Sequence, residues 1–182
     1  HLKYPIMFAG DKREVILSGE AYFDVVKDES APFIVKTESG KIEVLGTEFN
    51  IKCYSDESAL VTTLVNGKVK FDDGMNPSVI LKPEEQLIFE KENCQSIVRK
   101  INVNHYIGWK DNRLSFQGER LDMIMKTLSR WYNVEVVFED STLKALEFSG
   151  NLDKFTNIQE FLSLFELGVN VKFEIKDRTV YI

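Results

Sequence analysis

The chain predicts a fold in two parts: a mainly β front half over residues 1–104, a sandwich or β-roll, and an α+β rear half over 105–182. Three observations predict it. Through the front half, turn residues recur about every 8–12 positions between short alternating apolar runs, and no helical period of useful length intervenes. Beyond residue 105 the period changes, with Leu121, Ile124, Met125, Leu128, Trp131 and Tyr132 on one helical stripe and Ile158, Phe161, Leu162 and Phe165 on another. Each stripe is followed by an alternating run. The interval from Leu121 to Val134 equals that from Ile158 to Val171, the mark of a duplicated βαβ unit.

The front half is organised around residues 41–54. Ile42 and Val44 alternate with Lys41 and Glu43, the phase breaks at Leu45-Gly46-Thr47, and alternation resumes with Phe49, Ile51 and Cys53. A glycine at a phase break reads as a bulge or sharp bend, so this stretch serves two parts of a sheet or a sandwich corner. Runs at 22–26, 33–37 and 60–65 have the length of strands that pair beside it, and 15–17 is a further short strand. Asn66-Gly67 between two strand patterns predicts a type I′ hairpin, because both central residues of that turn take φ > 0. Pro83 suits the second position of a turn in Lys82-Pro83-Glu84-Glu85, and 97–103 closes the series.

In the rear half, residues 119–132 predict a helix with Asn133 as its C-cap. Val134, Val136 and Phe138 predict a strand. Thr156 or Asn157 caps the second helix, which Gly168 ends. Val169, Val171, Phe173 and Ile175 predict the next strand, and 179–182 the last. Phe116-Gln117-Gly118 before the first helix answers Phe148-Ser149-Gly150 before the second. Neither unit buries its own stripe, so the two are expected to share one sheet with both helices on one face.

Composition bounds the function. The 182 residues suffice for one large or two small cores, and 23 basic against 29 acidic residues leave a net charge of −6. Neither half carries a basic stripe, which argues against nucleic acid. No apolar run approaches the roughly 20 residues of a membrane span, and no signal peptide is present. Cys53 lies on an apolar strand face and Cys94 in a polar turn, which favours two free thiols, one buried and one exposed.

No constellation points to catalysis, a cofactor or a metal. Glu20 and Asp24 share a strand face four residues apart, about 13 Å, too far for a glycosidase pair, which needs roughly 5–9.5 Å. His1 and His105 are the two histidines, too few for the three or four clustered ligands of a zinc site. Tyr22 and Tyr54 on polar strand faces leave a glycan-binding module as the alternative to a protein-docking role.

Several ordered motifs resemble one family. Residues 13–25 (REVILSGEAYFDV), 32–35 (PFIV), 44–50 (VLGTEFN), 63–69 (TLVNGKV) and 81–86 (LKPEEQ) resemble the FecR-type transmembrane anti-sigma regulators. Residues 106–110 (YIGWK), 114–116 (LSF), 128–134 (LSRWYNV) and 148–152 (FSGNL) resemble the C-terminal domain of the Bacteroidetes branch. The resemblance implies the periplasmic portion of a single-pass inner-membrane protein. Its rear domain would resemble the short N-terminal signalling domain of secretins and TonB-dependent transducers. It implies binding to the signalling domain of a TonB-dependent outer-membrane transducer, and relay of a nutrient signal to an extracytoplasmic-function sigma factor through a cytoplasmic region outside this chain. It also implies earlier β strands outside this chain, whose place on the sheet would be an open edge prone to dimerisation or strand exchange. The expected docking positions are Phe148, Ser149, Gly150, Asn151 and Leu152, together with Thr179, Val180, Tyr181 and Ile182, where a partner strand would add to a sheet edge.

Overall fold

The structure is a computed structural model that describes residues 1–182 apart from 9, 154–156 and 169–170. It divides into two compact units, His1–Ile107 and Gly108–Ile182.

Among the described residues the first unit holds eleven strands: β1 (Leu2–Lys3), β2 (Arg13–Leu17), β3 (Gly19–Asp24), β4 (Phe33–Thr37), β5 (Gly40–Val44), β6 (Glu48–Cys53), β7 (Ala59–Asn66), β8 (Val69–Asp72), β9 (Val79–Leu81), β10 (Glu85–Glu90) and β11 (Gln95–Lys100), followed by the short helix α1 (Asn104–Ile107). They form a six-stranded sheet ordered β1-β2-β4-β5-β8-β9 and a five-stranded sheet ordered β11-β10-β7-β6-β3. Antiparallel hairpins β4-β5, β6-β7, β8-β9 and β10-β11 alternate between the two sheets. One core of alternate residues from both sheets fills the sandwich, with Val35, Ile42, Phe49, Ile51, Leu64 and Leu87 at 0% exposure.

The bend inside residues 41–54 is the device that builds this sandwich. β5 belongs to the six-stranded sheet and β6 to the five-stranded one, and Leu45-Gly46-Thr47 carries the chain across. Gly46 is needed there for space, since a Cβ would lie 2.5 Å from Lys27 Cα. The Asn66-Gly67 expectation is corrected. β7 and β8 do not pair with each other; β7 pairs with β6 and β10, and β8 with β5 and β9. Gly67 has φ 93° while Asn66 is not among the positive-φ residues, so the turn is not type I′. The two crossings pack together instead. Thr47 Oγ1 donates to the Lys68 carbonyl at 3.0 Å, and a Cβ on Gly67 would lie 2.8 Å from the Gly46 carbonyl oxygen. The Pro83 turn is a crossing of the same kind, from β9 to β10 in the opposite sheet. The expected open edge is partly covered: β1 pairs with β2, Leu2 opposite Leu17 and Lys3 opposite Ile16. Both cysteines are free. Cys53 is buried as expected, but Cys94 is half-buried against the core rather than exposed.

The second unit opens with a 3-10 turn (Gly108–Asp111) and continues β12 (Arg113–Arg120), α2 (Leu121–Tyr132), β13 (Glu135–Val137), a 3-10 turn (Ser141–Ala145), β14 (Glu147–Asp153), α3 (Ile158–Gly168), β15 (Glu174–Lys176) and β16 (Thr179–Tyr181). Strand-helix-strand order occurs twice, as the spacing predicts. The caps agree: Asn133 adopts the left-handed conformation at the end of α2, and Asn157 Oδ1 accepts the Glu160 N–H at the start of α3. Thr156 and Val169 lie outside the described residues. The single shared sheet is corrected. β12 pairs with β14, while β13, β16 and β15 form a separate sheet, so the strands flanking each helix fall in different sheets. Both helices bridge the two sheets. α2 packs on β12 and β13, and Phe165 of α3 touches Phe148 of β14 and Phe173 beside β15. Each helix thereby buries its apolar stripe against strands of both sheets. Leu121, Ile124, Met125, Leu128, Phe161 and Leu162 are all at 0% exposure.

Candidate functional site

β12 and β14 pair antiparallel and bring the two copies of the repeated motif side by side. Phe116 of the first Phe-x-Gly lies opposite Gly150 of the second, and after a register shift Glu119 lies opposite Phe148. Gly118 takes φ 61° in the shift, and its N–H donates to Ser149 Oγ at 2.8 Å. Ser149 is therefore committed to holding the bulge closed. Among the described residues no strand pairs with the other side of β14, so half of its main-chain N–H and C=O groups face away from β12.

Along the same strand, Phe148, Gly150 and Leu152 share the face turned toward α3 by strand alternation. Phe148 is fixed edge-on against Phe165, ring centroids 4.7 Å apart. Gly150 leaves a gap: a Cβ there would meet nothing within 4 Å. The result is an apolar groove of about 210 Å³ floored by Gly150 and walled by Phe116, Phe148, Leu152, Leu164 and Phe165. Leu164 stays 48% exposed on its rim. At the far end of α3, the Phe173 N–H bonds Glu166 Oε1 at 2.9 Å, and this bond, with Lys172 nearby, holds the Glu166 carboxyl below the usual range.

The structure brings the first predicted stretch to a free edge but not the second. β16 is the central strand of its sheet, parallel to β13 and antiparallel to β15. Ile182 spends both main-chain groups on the β13 side, its N–H on the Val137 carbonyl and its carbonyl on the Glu139 N–H. Val180 and Ile182 are buried, Thr179 and Tyr181 half-buried. Thr179, Val180, Tyr181 and Ile182 offer no main-chain edge for a partner. In sequence, Val180-Tyr181-Ile182 is a continuous apolar run, which fits a strand with both faces covered and leaves its place in the sheet, edge or centre, to the tertiary pairing. A second concavity, about 670 Å³, lies between α2 and the free side of β13, lined by Met125, Lys126, Ser129, Val134, Val136 and Phe138. Sequence reasoning missed it, since it depends on which sheet β13 joins.

In the first unit, Glu20 and Asp24 stand at positions two and six of β3, about 13 Å apart by strand rise. Glu20 Oε1 accepts from Asn50 Nδ2 at 2.9 Å. Burial pushes the Cys53 thiol above its ordinary pKa, the reverse of what a nucleophile needs. Among the described residues no three His, Cys, Asp or Glu side chains converge as a metal site, and no helix is long and apolar enough to cross a membrane.

Comparison with known families agrees with this division. Residues 4–70 match the FecR protein model and residues 113–182 the model of the FecR C-terminal region. The chain belongs to the FecR family. Two crystal structures of a protein from Parabacteroides distasonis ATCC 8503 assigned as an anti-sigma factor, at 1.65 and 2.50 Å resolution, share this fold with TM-scores of 0.90 and 0.89. Each is 26% identical and covers 99% of this chain, which in turn covers 84% of that protein. No curated protein matches in sequence. The FecR assignment gives the chain an anti-sigma regulatory role.

Proposed function

We propose that this FecR chain is the periplasmic sensor portion of a single-pass inner-membrane anti-sigma regulator. It binds the signalling domain of a TonB-dependent outer-membrane transducer and passes the nutrient signal to an extracytoplasmic-function sigma factor through a cytoplasmic region. Its role is docking rather than catalysis. The observation that carries the reading is the unpaired side of β14 running beside an apolar groove. A partner strand added there gains main-chain hydrogen bonds, and the groove at Gly150 reads one of its alternate side chains.

Isothermal titration against the transducer signalling domain, with a glycan panel as the contrasting ligand, tests the proposal. Gly150→Asp puts a charge into open space. It is expected to weaken transducer binding about tenfold or more, 1.4 kcal/mol, with the melting temperature unchanged. Unaltered affinity would remove β14 from the interface. Equal losses of affinity and melting temperature would make Gly150 structural, and glycan binding without transducer binding would replace the docking role.

A further inference from the structure

β11 is an edge strand of the five-stranded sheet. Among the described residues nothing pairs with its outer side, and all six of its residues are exposed, Ile97 at 53% and Val98 at 43%. Edge strands usually deter self-association by presenting charge, and β11 carries Arg99 and Lys100. Yet Arg99 is drawn back onto its own sheet. Its Nε and Nη2 donate to Gln86 Oε1 at 3.0 and 2.7 Å, and Nη2 also to the Tyr106 hydroxyl at 3.0 Å. Apolar residues occupy the middle of the strand, Arg99 is folded away, and Lys100 stands exposed at its end.

We propose that β11 is a homodimer interface, pairing antiparallel with β11 of a second copy about a two-fold axis at Ile97. A two-fold axis relating antiparallel strands stands normal to the sheet, so it preserves faces and passes through one residue pair. Centring on Ile97 sets Ile97 against its own copy, Ser96 against Val98 and Gln95 against Arg99, and no like charges meet. Centring on Arg99 would oppose two guanidinium groups, and centring on Val98 would put Arg99 against Ile97. The Ile97 register also extends an apolar row. Val61, Ile88 and Ile97 are successive cross-strand neighbours on β7, β10 and β11, and the axis continues that row into the second copy. A strand pair this short buries less than the roughly 1,200 Å² of a stable complex, so association depends on concentration.

Cysteine crosslinking in the 182-residue chain reads the register. In a Cys94→Ser background, Ile97→Cys places two thiols on directly opposite residues, whose Cα atoms lie about 4.5–5.5 Å apart, within disulfide reach. Diamide takes up the two electrons and two protons released as the S–S bond forms. Gln95→Cys places its thiols about 14 Å apart in the same register. The expected result is a crosslinked dimer with Ile97→Cys and none with Gln95→Cys. In sedimentation equilibrium the parent chain should gain mass with concentration while Ile97→Lys stays monomeric with an unchanged circular-dichroism melt. Equal crosslinking at both positions, none at Ile97, a parent chain monomeric at every concentration, or a dimer that survives Ile97→Lys would each overturn the proposal. So would a dimer lost instead on Leu2→Lys, which would place it on the β1 edge.

Discussion

Thr62 stands on the core-facing side of β7, fully buried, and among the described residues its hydroxyl has no hydrogen-bond partner. An unmet buried hydroxyl costs about 1–3 kcal/mol, so Thr62→Val is expected to raise the urea midpoint by about 1 kcal/mol equivalent at constant m-value. The next residue shows the opposite condition. Thr63 Oγ1 accepts from Gln86 Nε2 at 2.9 Å, and Arg99 satisfies the Gln86 carbonyl, all on a residue at 0% exposure. Arg99→Met leaves that oxygen unmet and is expected to cost about 1–3 kcal/mol. Aspartates hold several turns. Asp28 accepts from the Ser30 hydroxyl and the Ser30 and Ala31 N–H groups, and Asp73 from the Asn76 and Met75 N–H groups, so both carboxyls fall below the ordinary range. Protons therefore bind the unfolded chain first. The stability these turns contribute is complete above the unfolded value of about 4 and is lost as pH falls through the lower folded values. Urea midpoints followed down through that range should drop, and the drop should be smaller in an Asp28→Asn, Asp73→Asn variant.

At the level of elements, the sandwich depends on where the chain changes sheets. Gly46→Ala drives a Cβ into Lys27 backbone and should cost about 2–3 kcal/mol or more by overpacking, whereas Gly150→Ala, open to solvent, should stay within about 0.5 kcal/mol; paired thermal melts separate the two glycines. The Asn66-Gly67 result has the same origin. A local turn preference supplies less free energy than the burial of Leu64 on one side and Val69 and Phe71 on the other, each at 1% exposure or less. Those side chains are best buried when the strands enter facing sheets.

For the whole molecule, two separate clusters of buried residues, one from Val15 to Phe89 and one from Leu114 to Ile182, give each unit a core of its own. Residues 108–182 expressed alone should therefore fold with a melting transition of their own. They should also retain transducer affinity within about twofold of the longer chain. A piece that fails to fold would mean that the first unit supplies stability the second lacks.

Alternation, helical period and capping residues were local facts, and they sufficed to place the strands of residues 41–54, the helices α2 and α3 and the repeated Phe-x-Gly. Each records which face of a segment avoids water, and that is written residue by residue. Sheet membership was not local. Whether Asn66-Gly67 joins partners or crosses between sheets, whether β12 and β13 share a sheet, and whether Thr179–Tyr181 lies at an edge or a centre all depend on which distant strands supply hydrogen bonds. Only the assembled fold decided them, because an alternating strand buries its apolar face equally well in several sheet orders. The groove at Gly150 is the same case: the sequence by itself supplied the missing side chain, and the packing of α3 beside it turned the omission into a cavity.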